Sequence, residues 1–289
     1  MQLAIDYSVP VIAFTLLMAV GMDLTTADFD RVRRQPAVVL TGVFGPVVLL
    51  PLFAGSLAAA FPAHPDVAAG LLLIAACPVG GISNVFSYLA GASPALSVTL
   101  TGLSCLFAAL TVPLVSIILE TLLDRPLGLS APPGVLFKQL VVMLAIPAAI
   151  GFWVRNRLPA VAIRCKSTVQ RASFVGVGLL LAVIIANDVH GFLGGLRAAV
   201  PMAVAFIAGA FAIGWMTSRL VTRDARDRFT LAVEFGTRNV GVALAIAVTV
   251  LGRVEFARFG ATYFLTEIPL MLGAVMGFRA WVQRARSGS

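Results

Sequence analysis

Glu234 and Arg238 stand in the middle of an apolar run, within Glu234-Phe235-Gly236-Thr237-Arg238-Asn239-Val240-Gly241. An ionisable group at membrane depth is costly and marks an ion or substrate path unless it serves a structural ion pair. A spacing of four suits such a pair on a helix, and the two roles are compatible. Glu267 is another carboxylate inside an apolar run; protonation, pairing with Arg238 and exposure to a cavity are all open to it. A second polar interruption reads Cys77-Pro78-Val79-Gly80-Gly81-Ile82-Ser83-Asn84-Val85. Pro78 removes a backbone donor and clashes with the preceding turn, and adjacent glycines let the chain unwind. Irregular backbone at this depth is tolerated only where protein or a water-filled cavity surrounds it. Ser97 and Thr101, four apart, share a helix face and could offer two hydroxyl oxygens to one ion. Their plainer role is a hydrogen bond to their own helix or a neighbour.

The two interruptions resemble each other. Gly81-Ile82-Ser83-Asn84-Val85 and Gly236-Thr237-Arg238-Asn239-Val240 share Gly-x-x-Asn-Val, and Pro113 and Pro269 follow the two asparagines by 29 and 30 residues. Interrupted helices at corresponding positions of two halves point to an inverted-topology repeat and to the binding site of a secondary transporter.

The elements that must position these residues follow from composition. Of 289 residues, 60% are hydrophobic and 12% charged, far from the roughly 45–50% and about 25% of soluble domains. A water-soluble globular domain is excluded. Windows of about 19 residues place helices near 6–22, 36–61, 67–90, 94–123, 134–155, 169–188, 197–220, 227–251 and 258–284. The chain thus reads as an all-α polytopic membrane protein with nine transmembrane helices. Fifteen basic residues fall on one side: Arg31 to Arg34, Arg155 to Arg171, Arg219 to Arg228 and Arg279 to Arg286. Only Arg125, Lys138, Arg197, Arg253 and Arg258 fall on the other. The rich side is cytoplasmic, so the N-terminus lies outside and the C-terminus inside. Trp153, Trp215 and Trp281 fall at cytoplasmic helix ends, as an interfacial belt requires. Topology accounts for the net charge of +8, and lipid rather than nucleic acid is the expected surrounding partner.

Other chemistries find little support. Cys77, Cys105 and Cys165 form no disulfide framework, with Cys165 read beside a basic loop. His64 and His190, read as loop residues, lack metal-site spacing, and no nucleotide loop or nucleophile–base pair is evident. The reading is not an enzyme. The N-terminus lacks the positive region of a signal peptide, so the first apolar run is expected to persist.

The run Cys77-Pro-x-Gly-Gly-x-Ser-Asn-Val-x-Ser-Tyr-Leu-Ala, with Ala95-Leu96-Ser97-Val98-x-x-Thr101, Gly21-Met22-x-Leu24-Thr25-x-x-Asp28-Phe29 and Glu234-x-Gly-x-x-Asn239-x-Gly241, is similar to the bile acid:sodium symporter family. The resemblance implies the nine-helix form, with a panel domain (residues 1–33 and 134–190; helices 1, 5 and 6) and a core domain (34–133 and 191–289; helices 2–4 and 7–9). Two discontinuous helices then cross at their unwound midpoints in the core. It also implies a sodium site at Ser83, Asn84, Ser97, Thr101 and Glu234, and sodium favours such oxygen ligands. At the family's second sodium site the chain departs: Arg238 and Pro46 stand where the family has glutamines. A fixed positive charge about 5 Å from that site, at an effective dielectric near 20, opposes a sodium ion by about 3 kcal/mol. One Na+ is therefore expected, with Arg238 replacing the second.

Half-helix N-termini suit an anionic group, and the resemblance places substrate at Gly81, Asn239 and the backbone near them; Arg238 is a further carboxylate ligand by chemistry. The expected function is sodium-coupled symport of a small organic anion, a carboxylate, by alternating access in a bacterial inner membrane. The alternatives are a sodium-independent or proton-linked carrier or exchanger, and a non-transporting membrane receptor.

Overall fold

The computed structural model describes residues 2–61, 65–123 and 133–287. These residues are helical apart from short connections: α1 (Gln2–Gly21), α2 (Thr26–Arg34), α3 (Pro36–Ala60), α4 (Pro65–Ala76), α5 (Ser83–Ala90), α6 (Pro94–Leu123), α7 (Pro133–Leu140), α8 (Ile146–Arg157), α9 (Pro159–Asn187), α10 (Val189–Val221), α11 (Ala225–Gly236), α12 (Val240–Ala245) and α13 (Val254–Ser287). Short π-helical segments, Val141–Ala145 and Ile246–Val250, join α7 to α8 and extend α12.

Among the described residues, six helices are long and apolar enough to cross a membrane; α1 and α2, bent by 65° at their junction, add a seventh if taken together. The molecule is thus a polytopic, all-helical membrane protein. Two shorter apolar helices, α4 and Val240–Val250, fall in the stretches where spans are expected near 67–90 and 227–251. Large apolar side chains such as Val175, Leu179, Met216 and Met276 are exposed on the perimeter, where lipid rather than water is the solvent they suit.

Several expectations are corrected. The short helix α2 is absent from the hydropathy reading because it is polar; Asp28 accepts from the Thr25 amide at 2.8 Å, one arm of a capping box. Helix α9 begins at Pro159 rather than near 169, so Arg164, Cys165 and Lys166 are helical, not in a loop. Basic residues end a hydropathy window without ending a helix. His190 likewise lies in the first turn of α10; His64 and Arg125 lie outside the described residues.

Helix α1 packs chiefly on α8 and α9, while α10 packs on α11, α13 and α3. The α1–α8 seam is backbone on backbone: a Cβ at Gly21 would lie 2.1 Å from the Ala148 carbonyl oxygen, and one at Gly151 2.1 Å from that of Met18. Small residues permit this approach where no hydrophobic force separates helix from lipid. Helix α5 stops at Gly91, whose φ of 66° is the left-handed cap glycine favours.

Candidate functional site

Two chain breaks build the centre. Between α4 and α5, residues 77–82 are unwound; between α11 and α12, residues 237–239 are. The breaks lie antiparallel, bridged at Val79 and Arg238. The Asn239 amide donates to the Pro78 carbonyl at 2.8 Å and the Gly80 amide to that of Thr237 at 3.3 Å. Each break thereby satisfies polar groups that hydrocarbon would leave bare. A Cβ at Gly80 would meet the Arg238 carbonyl oxygen at 2.7 Å, so glycine is required for the crossing.

On one side of the crossing, Ser83, Ser97, Thr101 and Glu234 are all buried, and Asn84 is half-buried. Ser97 Oγ donates to Glu234 Oε1 and lies 2.9 Å from Asn84 Oδ1. Thr101 Oγ1 lies 3.1 Å from Glu234 Oε2 and 3.4 Å from Asn84 Oδ1. Ser83 Oγ lies 3.1 Å from Thr101 Oγ1 and 3.5 Å from Ser97 Oγ. Six side-chain oxygens thus converge, one pair of them a carboxylate. The hydroxyls of Ser97 and Thr101 each face two acceptors with a single proton to give. Such an acceptor-rich cluster suits a hard cation of modest charge.

Arg238, 2% exposed, does not pair with Glu234 along a helix, because α11 ends at Gly236 and turns the guanidinium elsewhere. It donates to the Cys77 carbonyl and, at 3.4 Å, to the carbonyl of Glu234. Those carbonyls end α4 and the last turn of α11, where the helix dipole is negative. Among the described residues no ion pair joins Arg238 to Glu234 or Glu267. Pro46 is buried within α3.

Gly81, Arg238, Asn239 and Glu267 line one narrow cavity of about 30 Å3, whose lining also includes Leu16 of α1 and Phe174 and Val177 of α9. It has room for a water or two. Asn239 Oδ1 caps α12 by accepting from the Val242 amide at 3.1 Å, but its Nδ2 has no partner. Nor do Arg238 Nε, Thr237 Oγ1 or either oxygen of Glu267.

Two supporting residues escape the motif reading. Ser104 accepts from the Val79 amide at 2.9 Å, and Tyr263 donates to the Gly236 carbonyl at 2.6 Å. Both tie down a break. Ser104 had a signal, since Ser97, Thr101 and Ser104 continue one face of α6 at helical spacing; Tyr263 had none.

Residues 10–193 match the model of the Sodium Bile acid symporter family. The chain is 25% identical over 232 residues to the "Uncharacterized sodium-dependent transporter YocS" of Bacillus subtilis, covering 80% of this chain and 71% of that one. It is 27% identical over 234 residues to the "Probable sodium/metabolite cotransporter BASS2, chloroplastic" of rice (Oryza sativa subsp. japonica), with coverages of 80% and 54%. Against the human "P3 protein" it is 28% identical over 225 residues, with coverages of 77% and 46%. It spans about half the length of the last two. A matched stretch that includes the first break and the Ser97–Thr101 face, on a chain whose described residues are mostly helical, places this protein in the Sodium Bile acid symporter family.

Proposed function

We propose that the protein is a secondary transporter, not an enzyme, that couples one sodium ion to the movement of a small organic anion by alternating access. The observation that carries this reading is the six-oxygen cluster beside two paired helix breaks, with Arg238 holding the carbonyls at the broken ends. Ser83, Asn84, Ser97, Thr101 and Glu234 hold the sodium. Arg238 acts as a tethered second cation, and Pro46 leaves no side-chain oxygen to compete for another ion. The anion sits at the cavity of Gly81, Asn239 and Arg238, near the N-terminus of α5. The names of the Bacillus and rice relatives, a sodium-dependent transporter and a sodium/metabolite cotransporter, support the coupling ion.

In this reading the chain crosses the membrane nine times, with α4–α5 and α11–α12 as broken spans related by an inverted repeat. Helices α1, α2, α7–α8 and α9 form the panel and the remainder the core, a division supported by the packing of α1 on α8 and α9. The excess of cytoplasmic basic residues sets the N-terminus outside and the C-terminus inside a bacterial inner membrane.

The test is thermal stability of detergent-purified protein in NaCl and KCl at matched ionic strength. A ligand that binds only the folded state stabilises by about 2.7 kcal/mol at a hundredfold excess over Kd. Sodium should stabilise and potassium should not; equal response to both salts removes the sodium assignment. A second reading, a proton-linked carrier, draws on Glu267, whose carboxyl has no partner. It requires substrate movement that persists when K+ replaces Na+ at fixed membrane potential.

A further inference from the structure

Buried polar atoms without partners are rare in native proteins, and each one calls for an occupant. Here they gather on one cavity. Arg238, Asn239 and Glu267 are 2%, 3% and 0% exposed, and all three line it. Arg238 Nε and Asn239 Nδ2 are donors left unused, and both oxygens of Glu267 are acceptors left unused. Thr237, Arg238 and Tyr263 are the polar groups close to Glu267; the Thr237 hydroxyl is the donor nearest its carboxyl, and neither group is otherwise partnered.

A plain carboxylate answers only half of this wall. Its oxygens take the donors of Arg238 and Asn239, but it offers no donor to the acceptor oxygens of Glu267. We propose that the cargo is a small carboxylate carrying its own hydrogen-bond donor, a hydroxyl or ammonium, close to the acid group, and that Glu267 is the residue that selects it. The inference rests on the transporter reading of this site. Arg238 and Asn239 take the carboxylate, and Glu267 accepts from the donor. Helices α1 and α9, which supply Leu16, Phe174 and Val177, must draw back to admit the ligand, because the cavity holds only about 30 Å3.

The test uses the full-length purified chain in NaCl and reads thermal stabilisation against acid concentration. Two matched series serve as probes: propionate, lactate and alanine; isobutyrate, 2-hydroxyisobutyrate and 2-aminoisobutyrate. A site built to bond a donor rejects the analogue that lacks it, so in at least one series a donor-bearing acid should bind about tenfold or more tighter than its plain parent. Glu267→Leu should erase that preference. Glu267→Gln separates the two sources, since the amide oxygen still accepts from a hydroxyl but cannot balance an ammonium: a hydroxyl preference survives it and an ammonium preference does not. Equal binding within both series, binding of neither series, or a preference that survives Glu267→Leu overturns the proposal. Sodium stabilisation without acid, measured on the same samples, reports folding of each variant and tests the sodium reading separately. If sodium still stabilises while the acids show no preference, only the selection by Glu267 falls; if sodium does not stabilise, the reading of the site falls first and the inference with it.

Discussion

Arg238 donates to the carbonyl of Cys77, 161 residues earlier in the chain, so the guanidinium of one helix break closes the end of the helix at the other. A carbonyl at a helix C-terminus inside a membrane requires a donor or a cation. Arg238 supplies both in one covalently held group.

Arg238→Gln should free that position. In KCl the variant is expected to be less stable than the parent, because carbonyls at the ends of α4 and α11 lose their partner. In NaCl it should recover, with a sodium dependence steeper than that of the parent. Adding Pro46→Gln should steepen it further by supplying another oxygen. Titration of melting temperature against NaCl checks both, and an unchanged slope in the double variant would count against a tethered-cation role.

At the oxygen cluster, Asn84→Ala removes the acceptor that faces both Ser97 and Thr101. Its expected effect is a loss of sodium affinity of about tenfold or more, the scale of one hydrogen bond to a charged partner. Stability in KCl should change little, because Asn84 is only half-buried. The same salt titration reads it.

The crossing itself distinguishes two neighbouring glycines. Gly80→Ala drives a methyl against the backbone of Arg238, at 2.7 Å from its oxygen, and should cost about 1–3 kcal/mol as an overpacked site. Gly81→Ala meets only the Val20 side chain at 3.7 Å, and should stay within about 0.5 kcal/mol. Melting temperatures of the two variants in one buffer decide the matter. Equal losses would mean that the backbone pairing of the breaks is not what holds them.

At the junction of α1 and α2, Asp23 pairs with Lys166 of α9. Burial holds the Asp23 carboxyl above its ordinary range, and Lys166 offsets part of that effect. A raised folded-state value means that this group favours folding below the ordinary carboxylate range, and that the contribution is lost as pH rises through the shifted value. Lys166→Met leaves the buried carboxylate without its cation. The variant should therefore be destabilised more at pH 8 than at pH 5, and a pH series of melting temperatures on both proteins measures the difference.

Much of this arrangement was legible in the sequence because membrane spans announce themselves by length and apolarity. The limits of α3 and α6 follow from hydropathy alone. Pro78 with Gly80 and Gly81 marked the first break, and the polar run from Glu234 to Asn239 marked the second. The ion pair suggested by the spacing of Glu234 and Arg238 did not form, because a spacing of four has meaning only on a continuous helix and Gly236 ends this one. Tyr263 and the pairing of Asn239 with Pro78 were invisible, since they depend on how distant segments meet. Helix α2 was hidden by its charge, and the early start of α9 by arginines and a lysine that a helix carries readily at an interface.

Sodium stoichiometry tests the central claim most directly. Equilibrium binding of radioactive sodium to purified protein, with excess unlabelled NaCl as the displaced control, counts ions per chain. The account predicts one ion for the parent protein, well under one for Asn84→Ala at the same concentration, and a second ion for the Arg238→Gln, Pro46→Gln double variant. Two ions on the parent chain, or none, would contradict it.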